Sequence, residues 1–146
     1  MINPRLVFLF LTLLLSSIMH MRAQGSEAEL QNNQGAVAVS IFEVLTNPNK
    51  FHSLDIIVTG VYRFDLDLAT LYPSKEYLVE DVFSSSISLE LPAGISPDKL
   101  EALMELNGQF VRVSGTFDAQ NRGYSGFNKG TIVNVKEIAR SSKKLN

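Results

Sequence analysis

The run Leu54-Asp55-Ile56-Ile57-Val58-Thr59-Gly60-Val61-Tyr62-Arg63-Phe64 decides the fold. Its residues are mostly β-branched or aromatic, the types that pack well on a pleated surface, so it reads as one long strand. Gly60 sits in its middle. A glycine inside a strand weakens it unless the chain must bulge or bend sharply there, so Gly60 marks a structural bend. A second run has the same form. Phe110 to Phe117 is a strand interrupted by Gly115, and Val111-Arg112-Val113-Ser114-Gly115 echoes Ile56-Ile57-Val58-Thr59-Gly60 at a spacing of 55 residues.

Working outward, Leu68 to Tyr72 forms a short strand stopped by Pro73. Ser86-Ile87-Ser88-Leu89-Glu90-Leu91 alternates polar and apolar without exception, the pattern of a half-buried strand with Ile87, Leu89 and Leu91 facing inward. Thr131 to Ile138 supplies the last strand. Residues 74–85 carry no readable period. Two helices complete the set. Ser40-Ile41-Phe42-Glu43 matches a capping box and opens a short helix that Asn47-Pro48 closes. Ser96, Pro97 and Asp98 open another, which ends at Asn107-Gly108 and presents Leu100, Leu103, Met104 and Leu106 as a core-facing stripe.

The order of elements is helix, three strands, helix, two strands. It predicts a mainly β protein: a five-stranded OB-fold-like Greek-key barrel, with a helix between strands 3 and 4 and a short N-terminal helix. The long first strand of such a barrel pairs in both halves, and Gly60 falls where it must turn.

The rest of the 146-residue chain sets an address. Arg5 precedes the apolar run Leu6 to Leu15, and Ala23 supplies a small residue for cleavage, so residues 1–23 read as an export signal. Cleavage after Gly25 and retention as an N-terminal anchor are the alternatives. Residues 24–35 read as a flexible leader, 36–140 as the folded domain and 141–146 as a basic frayed tail. Loss of residues 1–23 removes Arg5 and Arg22. Eleven basic side chains then face fifteen acidic ones, and the whole-chain charge of −2 becomes about −4. The chain has no cysteine, which excludes disulfides, thiolate metal sites, Cys nucleophiles and an acylated cysteine anchor. The expected location is periplasmic or secreted, with no membrane span after cleavage.

Catalytic equipment is sparse. His52 is the sole histidine after residue 23 and reads as a turn residue ahead of the first strand. Asp65 with Asp67, and Glu80 with Asp81, read as solvated loop charge rather than as metal ligands or an acid and base pair. No phosphate-binding loop, dinucleotide motif or calcium loop is present. The expectation is a protein that is not an enzyme, with no catalytic residue, metal or cofactor; a metal-assisted hydrolase that uses His52 is the alternative.

An OB barrel binds on the face of its second and third strands, flanked by the loop after the first strand and the loop before the last. Those loops are residues 63–69 and 118–130. The expected ligand-binding residues are Tyr62, Arg63, Tyr72, Arg122, Tyr124 and Phe127. A net charge near −4 opposes a polyanion, so a protein, an oligosaccharide or a small ligand is the expected partner, ahead of single-stranded nucleic acid.

Through the export signal, Val58-Thr59-Gly60, Val111 to Phe117 and Gly130-Thr131-Ile132-Val133-Asn134-Val135, the chain resembles small exported bacterial OB-fold proteins. It is similar in size, export and strand-glycine pattern to the periplasmic OB-fold family linked to stress tolerance. The stretch Tyr72 to Ser86 stands where that family has an Asp-x-x-Gly hairpin. The resemblance implies a compact exported barrel that acts by binding.

Overall fold

A computed structural model describes residues 35–66 and 68–141. The expected signal with its cleavage at Ala23, residues 24–34 of the leader and residues 142–146 of the tail lie outside the described residues. In chain order the elements are β1 (Val37–Val39), α1 (Ile41–Thr46), α2 (Pro48–Phe51), β2 (Asp55–Asp65) and β3 (Leu68–Tyr72). There follow α3 (Lys75–Val79), a 3-10 turn (Phe83–Ser85), β4 (Ile87–Leu89), α4 (Pro97–Met104), β5 (Phe110–Asp118) and β6 (Thr131–Arg140).

Five strands close into a barrel in the cyclic order β2-β3-β4-β6-β5, with β5 returning to β2. This is the OB-fold-like architecture. Closure depends on β2 serving two partners. Its first half pairs antiparallel with β5, from Asp55 opposite Thr116 to Val61 opposite Phe110. Its second half pairs with β3, from Val61 opposite Tyr72 to Asp65 opposite Leu68. The handover is at Val61, directly after Gly60. A Cβ at Gly60 would stand 2.7 Å from Leu71 Cγ, 2.7 Å from the Tyr72 carbonyl oxygen and 2.9 Å from Ile41 Cδ1. Only a residue without a side chain lets β3 and α1 approach the bend that closely.

Gly115 has a related role. β5 and β6 slip register there: Ser114 faces Glu137, whereas Thr116 faces Val133. The extra residues bulge from β6 at Asn134, which takes the left-handed conformation at φ 49. A Cβ at Gly115 would meet Ile132 Cγ2 at 2.6 Å and the Val133 carbonyl oxygen at 2.9 Å. At both glycines a Cβ would press on a neighbouring strand's backbone.

The interior follows the two-residue period: Ile56 and Val58 from β2, Ile87 and Leu89 from β4, and Val111, Val113 and Phe117 from β5 are all buried. Ile41, Val44 and Phe51 from α1 and α2 join the same cluster. Past the bend the period breaks, and Val61 and Tyr62 are both buried.

Four expectations are corrected. The segment before Ser40 holds a strand: β1 pairs parallel with β2, Val37 opposite Ile56 through Val39 opposite Val58. The capping box does not form; the Ser40 side chain makes no capping bond, and the first turn is closed by the Ser40 carbonyl accepting the Glu43 amide at 3.0 Å. Pro48 does more than close α1, because it also opens α2 at the first helical turn, where its missing N–H costs nothing. The helical stripe that includes Met104 is not core: α4 buries none of its residues, and Met104 is 53% exposed. Ahead of the first long strand, His52 lies in the expected turn, where its Nδ1 accepts the Ala119 amide at 3.3 Å.

Candidate functional site

The β2–β3 hairpin and the β5–β6 loop rise on either side of the outer face of β3 and β4. Between them lies a cleft of about 130 Å³ lined by Arg63, Asp65, Leu66, Leu68, Thr70, Phe83, Ser88, Tyr124, Ser125 and Asn128. Strand alternation explains the floor. In β3, Leu68 and Thr70 share the outer face, and in β4 Ser88 points outward between buried Ile87 and Leu89. Thr70 pairs with Ser88, which brings the two hydroxyls together.

The β5–β6 loop is held in place. Asp118 Oδ1 accepts the amides of Gln120 and Asn121, and Thr131 Oγ1 donates to the Asn121 carbonyl at 2.8 Å. Buried Asn128 donates from Nδ2 to Ser86 Oγ at 2.7 Å, and the Lys129 amide donates to the Ser86 carbonyl at 2.9 Å. A run of glycine and asparagine that reads as a pliable loop is thus docked on the start of β4. Ser86 is completely buried in making that joint.

The one guanidinium at the cleft is fully engaged by carboxylates. Arg63 pairs with Asp65 at 3.2 Å and with Asp81. Asp81 Oδ1 also accepts the Tyr72 hydroxyl at 3.3 Å. One guanidinium stands against two carboxylates, so this face offers no surplus positive charge. Asp81 adopts φ 53, a conformation that aspartate tolerates better than most residues, and the Arg63 and Tyr72 contacts hold it there. Tyr72 is buried, and burial, reinforced by the Asp81 carboxylate, pushes its phenol up to about 12.

Leu66 stands at the hairpin tip. It lies in the left-handed region at φ 48, where a leucine is strained and a glycine or asparagine would be relaxed, and its side chain is 88% exposed. Neither feature contributes to packing. Tyr124, across the cleft, is 90% exposed.

The six expected ligand-binding residues divide. Arg63 and Tyr124 line the cleft. Tyr72 does not line the cleft but backs it, its ring 6.3 Å from that of Phe83 and its hydroxyl donating to the Asp81 carboxylate that holds Arg63. Tyr62 is corrected: it lies wholly inside the core, because both faces of β2 turn inward after the bend, and its hydroxyl has no hydrogen-bond partner among the described residues. Burial pushes that phenol up to about 12. Arg122 braces the loop, its Nε donating to the Asn128 carbonyl at 3.0 Å. Phe127 is exposed and does not line the cleft. Of the other lining residues, Asp65, Leu66, Leu68, Ser125 and Asn128 fall in the expected loops 63–69 and 118–130 without having been singled out, and Thr70, Phe83 and Ser88 lie outside them. The alternation at 86–91 already put Ser88 outside; Phe83 carried no such signal.

Among the described residues no three histidine, aspartate or glutamate side chains gather as a metal-holding group, and no helix is long and apolar enough to cross a membrane. No family model and no curated protein matches the chain. Among solved structures the chain is similar to a DUF3299 family protein from Pseudomonas aeruginosa, with a TM-score of 0.46 and 9% identity over 76% of this chain and 99% of that one. It is also similar to a protein described as an aspartyl-tRNA synthetase from Leishmania major, with a TM-score of 0.44 and 13% identity over 77% of this chain and 22% of that one.

Proposed function

We propose that this protein is an exported, non-catalytic binding module that holds a neutral oligosaccharide in the cleft between the β2–β3 hairpin and the β5–β6 loop. The observation that carries the reading is the pairing of exposed apolar walls, Leu66, Leu68 and Tyr124, with a floor of hydrogen-bonding groups, Thr70, Ser88 and Asn128, on a face whose guanidinium is already paired with two carboxylates. A sugar ring presents an apolar C–H face and a rim of hydroxyls, and both kinds of group have a partner here. The cleft is smaller than the roughly 300–1,000 Å³ of drug-sized pockets, which suits one ring of a longer chain that runs on across the barrel face. A nucleic-acid backbone needs unpaired cations to displace its counterions, and Arg63 is already committed to two carboxylates.

The test is binding of the wild-type protein and Tyr124→Ala to an array of neutral oligosaccharides and to single-stranded oligonucleotides at several salt concentrations. The reading predicts saturable, salt-insensitive binding to a neutral glycan, weakened about tenfold by Tyr124→Ala, in the range of a well-placed aromatic contact. Because Tyr124 is almost fully exposed, the melting temperature stays unchanged. Binding only to oligonucleotides, falling steeply with salt, or no glycan binding at all, overturns it.

A further inference from the structure

A second concavity, sharing no residue with the cleft, lies between α4, the segment that leads into it and β6. Its volume is about 540 Å³, inside the range of roughly 300–1,000 Å³ typical of small-molecule sites. The groove exists because α4 does not seal the barrel: none of its residues is buried. Leu91, Leu106, Val135 and Ile138 form a floor continuous with the core cluster, while Ile95, Ala102 and Leu103 form the opposite wall.

One end is charged. Lys99, in the first turn of α4, and Lys136 and Glu137, from β6, border the groove. Lys136 is engaged by the Asp55 carboxylate and Glu137 by Arg112 at 3.3 Å, whereas Lys99 makes no ion pair among the described residues. Asp98 does not border the groove. Lys99 and the unpaired first-turn amides of α4, which the Ser96 side chain does not cap, give that end an uncommitted positive character. From Lys99 the same helix face continues to Leu103, four residues on, and Leu106 follows in the turn after the helix. Between Lys99 and Leu103 the helix advances about 6 Å, from a cationic end to an apolar one.

We infer that this groove binds a single-chain anionic amphiphile, a medium-chain fatty acid. The carboxylate lies at Lys99 and the start of α4, and the alkyl chain runs between Ile95 and Leu103 on one side and Leu106, Val135 and Ile138 on the other. The inference is independent of the glycan reading, since it uses other residues and another ligand.

Isothermal titration of the purified protein with octanoate, decanoate and dodecanoate, below their micelle concentrations, tests it, with decanol as the neutral match. One site is expected, with affinity rising roughly fourfold per added methylene. Lys99→Gln weakens decanoate roughly three- to fivefold and leaves decanol unchanged, the scale of an exposed ion pair. Ala102→Trp fills the groove and abolishes binding of both without moving the melting temperature, because Ala102 is exposed. The proposal is overturned by absence of saturable dodecanoate binding in the millimolar range, by an equal effect of Lys99→Gln on decanoate and decanol, or by undiminished binding in Ala102→Trp.

Discussion

Replacing Gly60 with alanine adds one methyl group at the point where β2 exchanges β5 for β3. That methyl would lie 2.7 Å from Leu71 Cγ, 2.7 Å from the Tyr72 carbonyl oxygen and 2.9 Å from Ile41 Cδ1, all well inside van der Waals contact. Leu71 could turn to another rotamer, but it is completely buried and has no free volume to turn into. The carbonyl belongs to the β2–β3 ladder and cannot move without breaking it. Overpacking of this kind costs about 2–3 kcal/mol. In a domain of this size that lowers the melting temperature by roughly 10–20 °C. Thermal unfolding followed by circular dichroism measures the effect, with Gly35→Ala as the control, since a Cβ there meets nothing within 4 Å. A Gly60→Ala protein that melts within about 2 °C of the wild type would refute the close approach at the bend and the barrel closure built on it.

Leu66→Gly should stabilise the protein by about 1 kcal/mol, by relieving a left-handed leucine, and should at the same time weaken glycan binding; a gain in stability with full binding would leave the strained leucine without a function. Tyr62→Phe removes a buried hydroxyl that has no partner among the described residues, so stability in urea should be unchanged or higher by about 1 kcal/mol, and a loss of that size would reveal a partner. The Asp55 carboxylate is held below the usual carboxylate range by hydrogen bonds from Lys136 and from Thr116, the latter at 2.7 Å. The folded protein therefore binds that proton less readily than the unfolded chain, so the stabilisation is complete above the unfolded value and lost as pH falls through the folded one. Asp55→Asn should flatten the acid limb of a stability-against-pH curve, and an unchanged limb would contradict it.

The barrel was legible because its evidence in the chain is local. Ser86 to Leu91 alternates without exception, and Gly60 and Gly115 interrupt strands at points where a neighbouring backbone leaves no room for a Cβ. What was not legible depends on distant partners. β1 is three residues long, too short to show a period, and it is a strand only because β2 offers Ile56 to Val58 as a parallel edge. The segment 75–85 folds as one short helix and a 3-10 turn with no buried residue in either, so no apolar stripe announces it. Tyr62 and Arg63 are adjacent in sequence and look alike as candidates beside a loop. The bend sends one into the core and the other into the cleft, and its angle is set by β3 and α1. Met104 satisfies the helical period and is nevertheless exposed, because periodicity reports which residues share a face and not how closely that face is covered.

Amide shifts in two-dimensional NMR, recorded while neutral gluco-, malto- and chito-oligosaccharides are titrated into the protein, test the central claim most directly. Saturable shifts confined to Arg63, Leu68, Thr70, Ser88, Tyr124, Ser125 and their immediate neighbours are predicted for at least one series. Shifts that fail to saturate in every series, or that centre on Leu103 and Ile138 beneath α4 instead, would contradict it.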